Sequence, residues 1–121
     1  KRQITDGLPT LGTCAGLILL AEKLSNDTNC YFGTLPVTVR RNAYGRQLSS
    51  FHTCEEVKEI GKVPMTFIRA PYIESVKPQV EVLAEVEEKI VAVRYQNQIG
   101  LSFHPELDED NRIHEMFLKM I

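Results

Sequence analysis

Two hydrophobic rhythms run along the chain, and their order sets the first expectations about its fold. Leu8-Pro9-Thr10-Leu11-Gly12-Thr13 is short, β-branched and bounded by Gly and Pro, which predicts a strand. Ala15 to Leu24 follows with good helix formers, and Leu17, Leu20, Ala21 and Leu24 fall on one face of a helix. The polar stretch Ser25 to Asn29 closes that element as a loop. Upstream, Lys1-Arg2-Gln3-Ile4 reads as the end of a helix, with Gly7 as its stop and Pro9 beginning the next element. With no initiator Met ahead of it, this pattern predicts that the beginning of the domain is absent. The opening is therefore strand, sharp turn, helix.

The middle changes to period two. Leu35 to Arg40 alternates cleanly and Gln47 to His52 less so, with the turn-rich Arg41 to Arg46 between them. Pro64 to Ile68, Val80 to Ala84, Ile90 to Tyr95 and Ile99 to Phe103 are further short strands, the last two joined as a hairpin through Asn97-Gln98-Ile99-Gly100. Asp110 to Ile121 returns to a helical pattern with Ile113, Phe117 and Met120 as its apolar stripe. One strand–helix opening, many strands and a closing helix predict a single α/β domain over residues 1–121 with an inserted antiparallel layer.

Composition narrows the function classes. At 121 residues, 43% hydrophobic and 25% charged, the chain has the make-up of one ordinary globular domain. A net charge of −2 without a long basic run gives no reason to expect nucleic acid or an anionic membrane as partner. The longest apolar run, Ala15 to Ala21, is too short to span a bilayer, and its surroundings do not make a signal sequence. The three cysteines, Cys14, Cys30 and Cys54, form no CxxC pair, and an odd count predicts a reducing, cytoplasmic setting. No metal-ligand constellation is present.

Candidate chemistry begins at Gly12-Thr13-Cys14-Ala15-Gly16, which has the form of a nucleophile elbow between strand and helix. Flanking glycines remove Cβ atoms that would clash in so tight a turn. The turn would project the thiol from the sheet and set it at a helix amino terminus, where the dipole favours thiolate. The Ala15 N–H would then face the reacting centre as an oxyanion donor. Taken alone, the pentapeptide fits equally well a buried structural cysteine between packing glycines.

Ser102-Phe103-His104-Pro105-Glu106-Leu107 supplies a base and its orienter. Pro105 disfavours helix for His104, and in an extended segment His104 and Glu106 share a side. The carboxylate can hold one imidazole nitrogen and leave the other to take the thiol proton. A lone histidine at a strand end is more often structural, and His52, His114, Cys30 and Cys54 are assigned no chemistry.

Together these pieces resemble the class I glutamine amidotransferases, with Cys on a G-x-C-x-G elbow and a His-Pro-Glu. Within that class the chain is similar to the glutaminases of pyridoxal 5'-phosphate synthase. The resemblance rests on Gly12 to Leu17, Arg41-Asn42-Ala43-Tyr44-Gly45-Arg46-Gln47, Phe67-Ile68-Arg69-Ala70-Pro71 and Ser102 to Leu107, in family order. Leu17 and Ile18 stand where other class I glutaminases usually carry Gln, which disfavours those relatives.

The resemblance implies a flavodoxin-like doubly wound sheet with additional antiparallel strands. It implies hydrolysis of L-glutamine to glutamate and ammonia through a Cys14–His104–Glu106 triad and a glutamyl thioester, with no cofactor. Arg41, Ile68 and Arg69 would contact glutamine, a guanidinium suiting its α-carboxylate. The ammonia would pass to a partner synthase subunit. Family members also begin with a βα segment and a Gly-Gly-Glu-Ser loop, which this sequence does not show. That departure keeps two further readings open, a non-catalytic docking module of the same complex and a different cysteine-elbow hydrolase.

Overall fold

The computed structural model describes residues 4, 7–24, 31–40, 50–68, 71–86, 88–105 and 111–119. Strand β1 (Thr10–Thr13) leads through Cys14 into helix α1 (Ala15–Leu20), and β2 (Ala21–Leu24) follows at once. Then come β3 (Leu35–Arg40), β4 (Ser50–Val57), β5 (Gly61–Ile68), β6 (Tyr72–Val76), β7 (Glu81–Val86), β8 (Lys89–Tyr95) and β9 (Gln98–Leu101). Helix α2 (Arg112–Leu118) is the last element.

The main sheet runs β1-β9-β8-β6-β3-β2, with β7 also paired to β8, while β4 and β5 form a separate two-stranded ribbon. β1 lies parallel to β9, setting Leu11 opposite Ile99 and Thr13 opposite Leu101, and β2 lies parallel to β3. The remaining pairs are antiparallel. The result is a mixed α/β fold, as expected, with parallel pairing at the elbow strand and antiparallel pairing through the inserted layer.

Three expectations need correction. The helix foreseen from Ala15 to Leu24 ends at Leu20, and Ala21 to Leu24 is a strand. The apolar spacing is the same in both readings, because a bulge between Ala21 and Lys23 lets Ala21 and Leu24 both face inward beside β3. Ala21 itself has left helical geometry at φ −58 and ψ 139.

The ribbon strand foreseen from Gln47 to His52 instead extends to Val57; residues 47–49 lie outside those described. Strand β6 was not foreseen, since among Tyr72 to Val76 only Ile73 is fully buried and no alternation announces it. The β8–β9 hairpin was foreseen, and its turn falls on Gln96 and Asn97, with Tyr95 opposite Gln98.

The sheet separates two cores. On one side α1 contributes Leu17 and Leu20 to a cluster with Leu35, Val37, Val39 and Val93. On the other, Val63, Met65 and Phe67 of the ribbon pack with Ile99, Leu101, Phe103 and Ile113. Alternation in β5 explains its inward face, because Val63, Met65 and Phe67 are two apart. Rings of Phe67 and Phe103 meet edge to face at 5.8 Å, a contact worth about 0.5–1.5 kcal/mol beyond its burial. Gly100 lets α1 lie close to the sheet, since a Cβ there would stand 2.8 Å from Leu17 Cδ1 and 2.9 Å from Leu35 Cδ2.

The ribbon is tied to the sheet at both ends. Near its tip Lys58 N–H donates to Leu83 O at 2.8 Å, and at the other end His104 N–H donates to Thr66 O at 2.8 Å. Around the tip, Glu81 accepts from Arg94 and pairs with Lys58 at 2.8 Å, and Arg94 also meets Glu59 at 2.9 Å. Hydrogen bonds from Lys58 and Arg94 hold the Glu81 carboxyl below its usual range, against the opposing effect of burial. Among the described residues no helix is long and apolar enough to cross a membrane.

Candidate active site

Cys14 occupies the junction between β1 and α1 with φ 48 and ψ −104. An L-residue rarely adopts this conformation, at a cost of order 1–3 kcal/mol, unless its surroundings enforce it. They do so here. Cys14 N–H donates to Leu101 O at 2.9 Å, and Cys14 O accepts from Ile18 N–H at 3.2 Å, pinning the turn to β9 and to the helix. The first N–H groups of a helix have no intrahelical partner, and Ala15, which opens α1 directly after Cys14, contributes one of them.

The two elbow glycines have different jobs. A Cβ on Gly12 would lie 2.7 Å from Leu20 Cδ1 and 2.9 Å from the carbonyl carbon and oxygen of Gly16. Gly12 is therefore what allows the strand to turn back against its own helix. Beyond the backbone of its own helix, a Cβ on Gly16 would meet no atom within 4 Å. The expectation that both flanks must be bare is corrected: Gly16 supplies the main chain that Gly12 approaches, and its own missing side chain relieves no clash.

Cys14 is 8% exposed, and its thiol donates to the main-chain carbonyl of Ser102 at 2.9 Å, across 88 residues of sequence. That contact sets the elbow against the main chain two residues before His104. His104 is two residues further along, held by its amide on Thr66 O, so its backbone lies within roughly 7 Å of Ser102 even when fully extended. His104 is half-buried, whereas Phe103 before it is fully buried and anchors the segment in the ribbon core.

Of the other expected site residues, Ile68 ends β5. Glu106, Arg41 and Arg69 lie outside the described residues. His52 stands on the exposed side of the ribbon opposite Thr66, His114 is half-buried on α2, and Cys54 is exposed on β4.

Sequence reasoning did not single out Ser102 or Thr66. Both act here through main-chain carbonyls, which every residue type possesses, so no side-chain pattern could have marked them. The arrangement offers a largely buried thiol on a strained elbow at the start of a helix, bonded to the main chain two residues before His104. This combination suits nucleophilic attack on a carbonyl carbon with proton transfer by the imidazole.

The model of the SNO glutamine amidotransferase family matches residues 1–121. A relative from Desulfitobacterium hafniense (strain DSM 10664 / DCB-2), named pyridoxal 5'-phosphate synthase subunit PdxT, is 68% identical over all of this chain and 61% of its own length. A protein of the same name from Streptococcus pneumoniae (strain CGSP14) is 51% identical over 99% of this chain and 62% of its own length.

A solved structure described as a glutamine amidotransferase superposes with a TM-score of 0.94 at 40% identity, covering 98% of this chain and 64% of that one. The chain thus spans about 61% of the length of the Desulfitobacterium relative. With all of residues 1–121 matched by the family model, the chain belongs to the SNO glutamine amidotransferase family.

Proposed function

We propose that residues 1–121 form one glutamine amidotransferase domain carrying the nucleophile and base of a glutaminase that feeds ammonia to a pyridoxal 5'-phosphate synthase. The observation that carries this reading is the Cys14 sulfur, set on a positive-φ elbow and held against the carbonyl of Ser102, two residues before His104. The names borne by the Desulfitobacterium and Streptococcus relatives point the same way.

In this mechanism Cys14 attacks the side-chain amide carbon of L-glutamine. The thiol proton passes to His104, which returns it to the leaving nitrogen as ammonia departs. The tetrahedral oxyanion is met by the Ala15 N–H. His104 then activates water to hydrolyse the glutamyl thioester, releasing glutamate. Glu106 orients the imidazole, while Arg41, Ile68 and Arg69 contact the amino-acid end of glutamine. The partner is the synthase subunit that consumes the ammonia, and the setting is cytoplasmic. The chemistry requires neither metal nor cofactor.

A γ-diazoketone analogue of glutamine tests the reading directly. Incubated with the chain in the presence of the synthase subunit, it should alkylate Cys14 and leave Cys54 unmodified, as read by peptide mass spectrometry. Glutamate release should fall by roughly a thousandfold or more in Cys14→Ala. Retained release in Cys14→Ala, or equal labelling of the two thiols, would sink the reading. Synthase binding with no labelling of Cys14 would point to a docking module.

A further inference from the structure

Ser102 meets the nucleophile through its main chain, and its side chain has a separate story. Its carbonyl accepts from the Cys14 thiol at 2.9 Å, and its amide donates to Val91 O at 2.8 Å. Its hydroxyl is fully buried, and among the described residues it is the buried side-chain oxygen or nitrogen without a hydrogen-bond partner. A buried hydroxyl left unsatisfied is costly, and native structures retain few of them.

Alanine at this position would avoid that cost and fold at least as well. The segment cannot swing the hydroxyl out to solvent, because amides on both sides of it, Ser102 and His104, are bonded to Val91 and Thr66. Rotation about χ1 through its staggered wells is the freedom that remains.

The contact it sits beside suits only one protonation state. A carbonyl oxygen accepts and cannot donate, so it holds a neutral thiol and repels a thiolate. When Cys14 loses its proton, this contact becomes unfavourable and leaves a negative sulfur where only 8% of the residue is exposed. A buried anion needs donors. The hydroxyl belongs to the same residue as that carbonyl, can donate, and has no other bond to give up.

We propose that Ser102 serves both protonation states of the nucleophile: its carbonyl holds the resting thiol, and its hydroxyl turns to donate to sulfur once the proton has left. In that step the S–H bond breaks with its electron pair kept on sulfur. The proton passes to a ring nitrogen of His104, and the hydroxyl keeps its own proton throughout. The inference rests on the reading of Cys14 as the glutaminase nucleophile.

Ser102→Ala and Ser102→Gly remove the hydroxyl and keep the carbonyl. In the 121-residue chain, the pH dependence of Cys14 alkylation by iodoacetamide, followed by peptide mass spectrometry, reports thiolate formation. Both variants should move the midpoint up by about one pH unit, a roughly tenfold loss of thiolate below it. The denaturant midpoint of the alanine variant should be unchanged or raised.

An unmoved or lowered alkylation midpoint in both variants overturns the proposal. So does a clear loss of stability in Ser102→Ala, because it would mean that the hydroxyl is already bonded in the resting chain. Diazoketone labelling of the unsubstituted chain keeps the two ideas apart. If that labelling fails, the glutaminase reading fails, while the midpoint shift still decides whether Ser102 supports the thiolate.

Discussion

Adding the same single methyl to either elbow glycine should have opposite effects on stability. In Gly12→Ala the new Cβ would stand 2.7 Å from Leu20 Cδ1 and 2.9 Å from the Gly16 carbonyl group. Carbon atoms in comfortable contact are about 3.5–4.0 Å apart, so the overlap approaches 1 Å on two sides. Leu20 has little room to yield at 2% exposure, and the Gly16 carbonyl belongs to the first turn of a helix tied down through Cys14 and Ile18.

Overpacking of this kind costs about 1–3 kcal/mol, and contact with backbone places it toward the upper end. Loss of unfolded-chain freedom returns about 0.4–1 kcal/mol, leaving a net destabilisation of about 2 kcal/mol. In Gly16→Ala nothing is struck, and a better helix former should add about 0.5–1 kcal/mol. The two variants should therefore differ by about 2–3 kcal/mol. In urea, with slopes of about 1–3 kcal/mol/M, their midpoints should separate by about 0.7–3 M without a change in slope. Equal midpoints, or a less stable Gly16→Ala, would refute the claim that close approach at Gly12 shapes the elbow.

Phe103→Ala should cost about 3–5 kcal/mol, since the ring is fully buried against Phe67, and it should loosen the segment that carries His104; thermal unfolding and glutamate release read the two effects. Cys54→Ala should leave glutaminase activity unchanged, because this thiol is exposed on the ribbon, and a loss matching that of Cys14→Ala would show that the elbow is not special. Glu81 has its carboxyl held below the usual value, so its stabilisation is present above the unfolded-state value of about 4.3 and is lost as pH falls through the folded value. Glu81→Gln should therefore flatten the acid side of the stability profile below about pH 4.5 and leave its shape unchanged near neutrality, as measured by urea titration across that range.

The local features of this chain were written in short-range patterns. Residues 35–40 and the buried Val63, Met65 and Phe67 repeat every second position, and β3 and β5 are strands because that period puts one face into a core. Residues 112–118 carry a helical stripe, and α2 forms on it with Ile113 buried. The glycine-flanked Cys14 announced a turn between strand and helix, and its φ of 48 is the outcome.

Only the tertiary structure decided what those elements meet. Leu20 to Leu24 has spacing that fits a helix, yet the chain extends at Ala21 because the edge of β3 offers backbone partners that an isolated helix lacks. Tyr72 to Val76 is a strand through its pairing with β3 and β8, which no local alternation encodes. The carbonyl of Ser102 reaches the Cys14 sulfur because β1 and β9 lie parallel and in register, from Thr10 opposite Gln98 to Thr13 opposite Leu101. Side-chain periodicity tells which face of an element is buried. It carries no information on which distant main-chain group will accept a hydrogen bond, because every residue offers the same carbonyl.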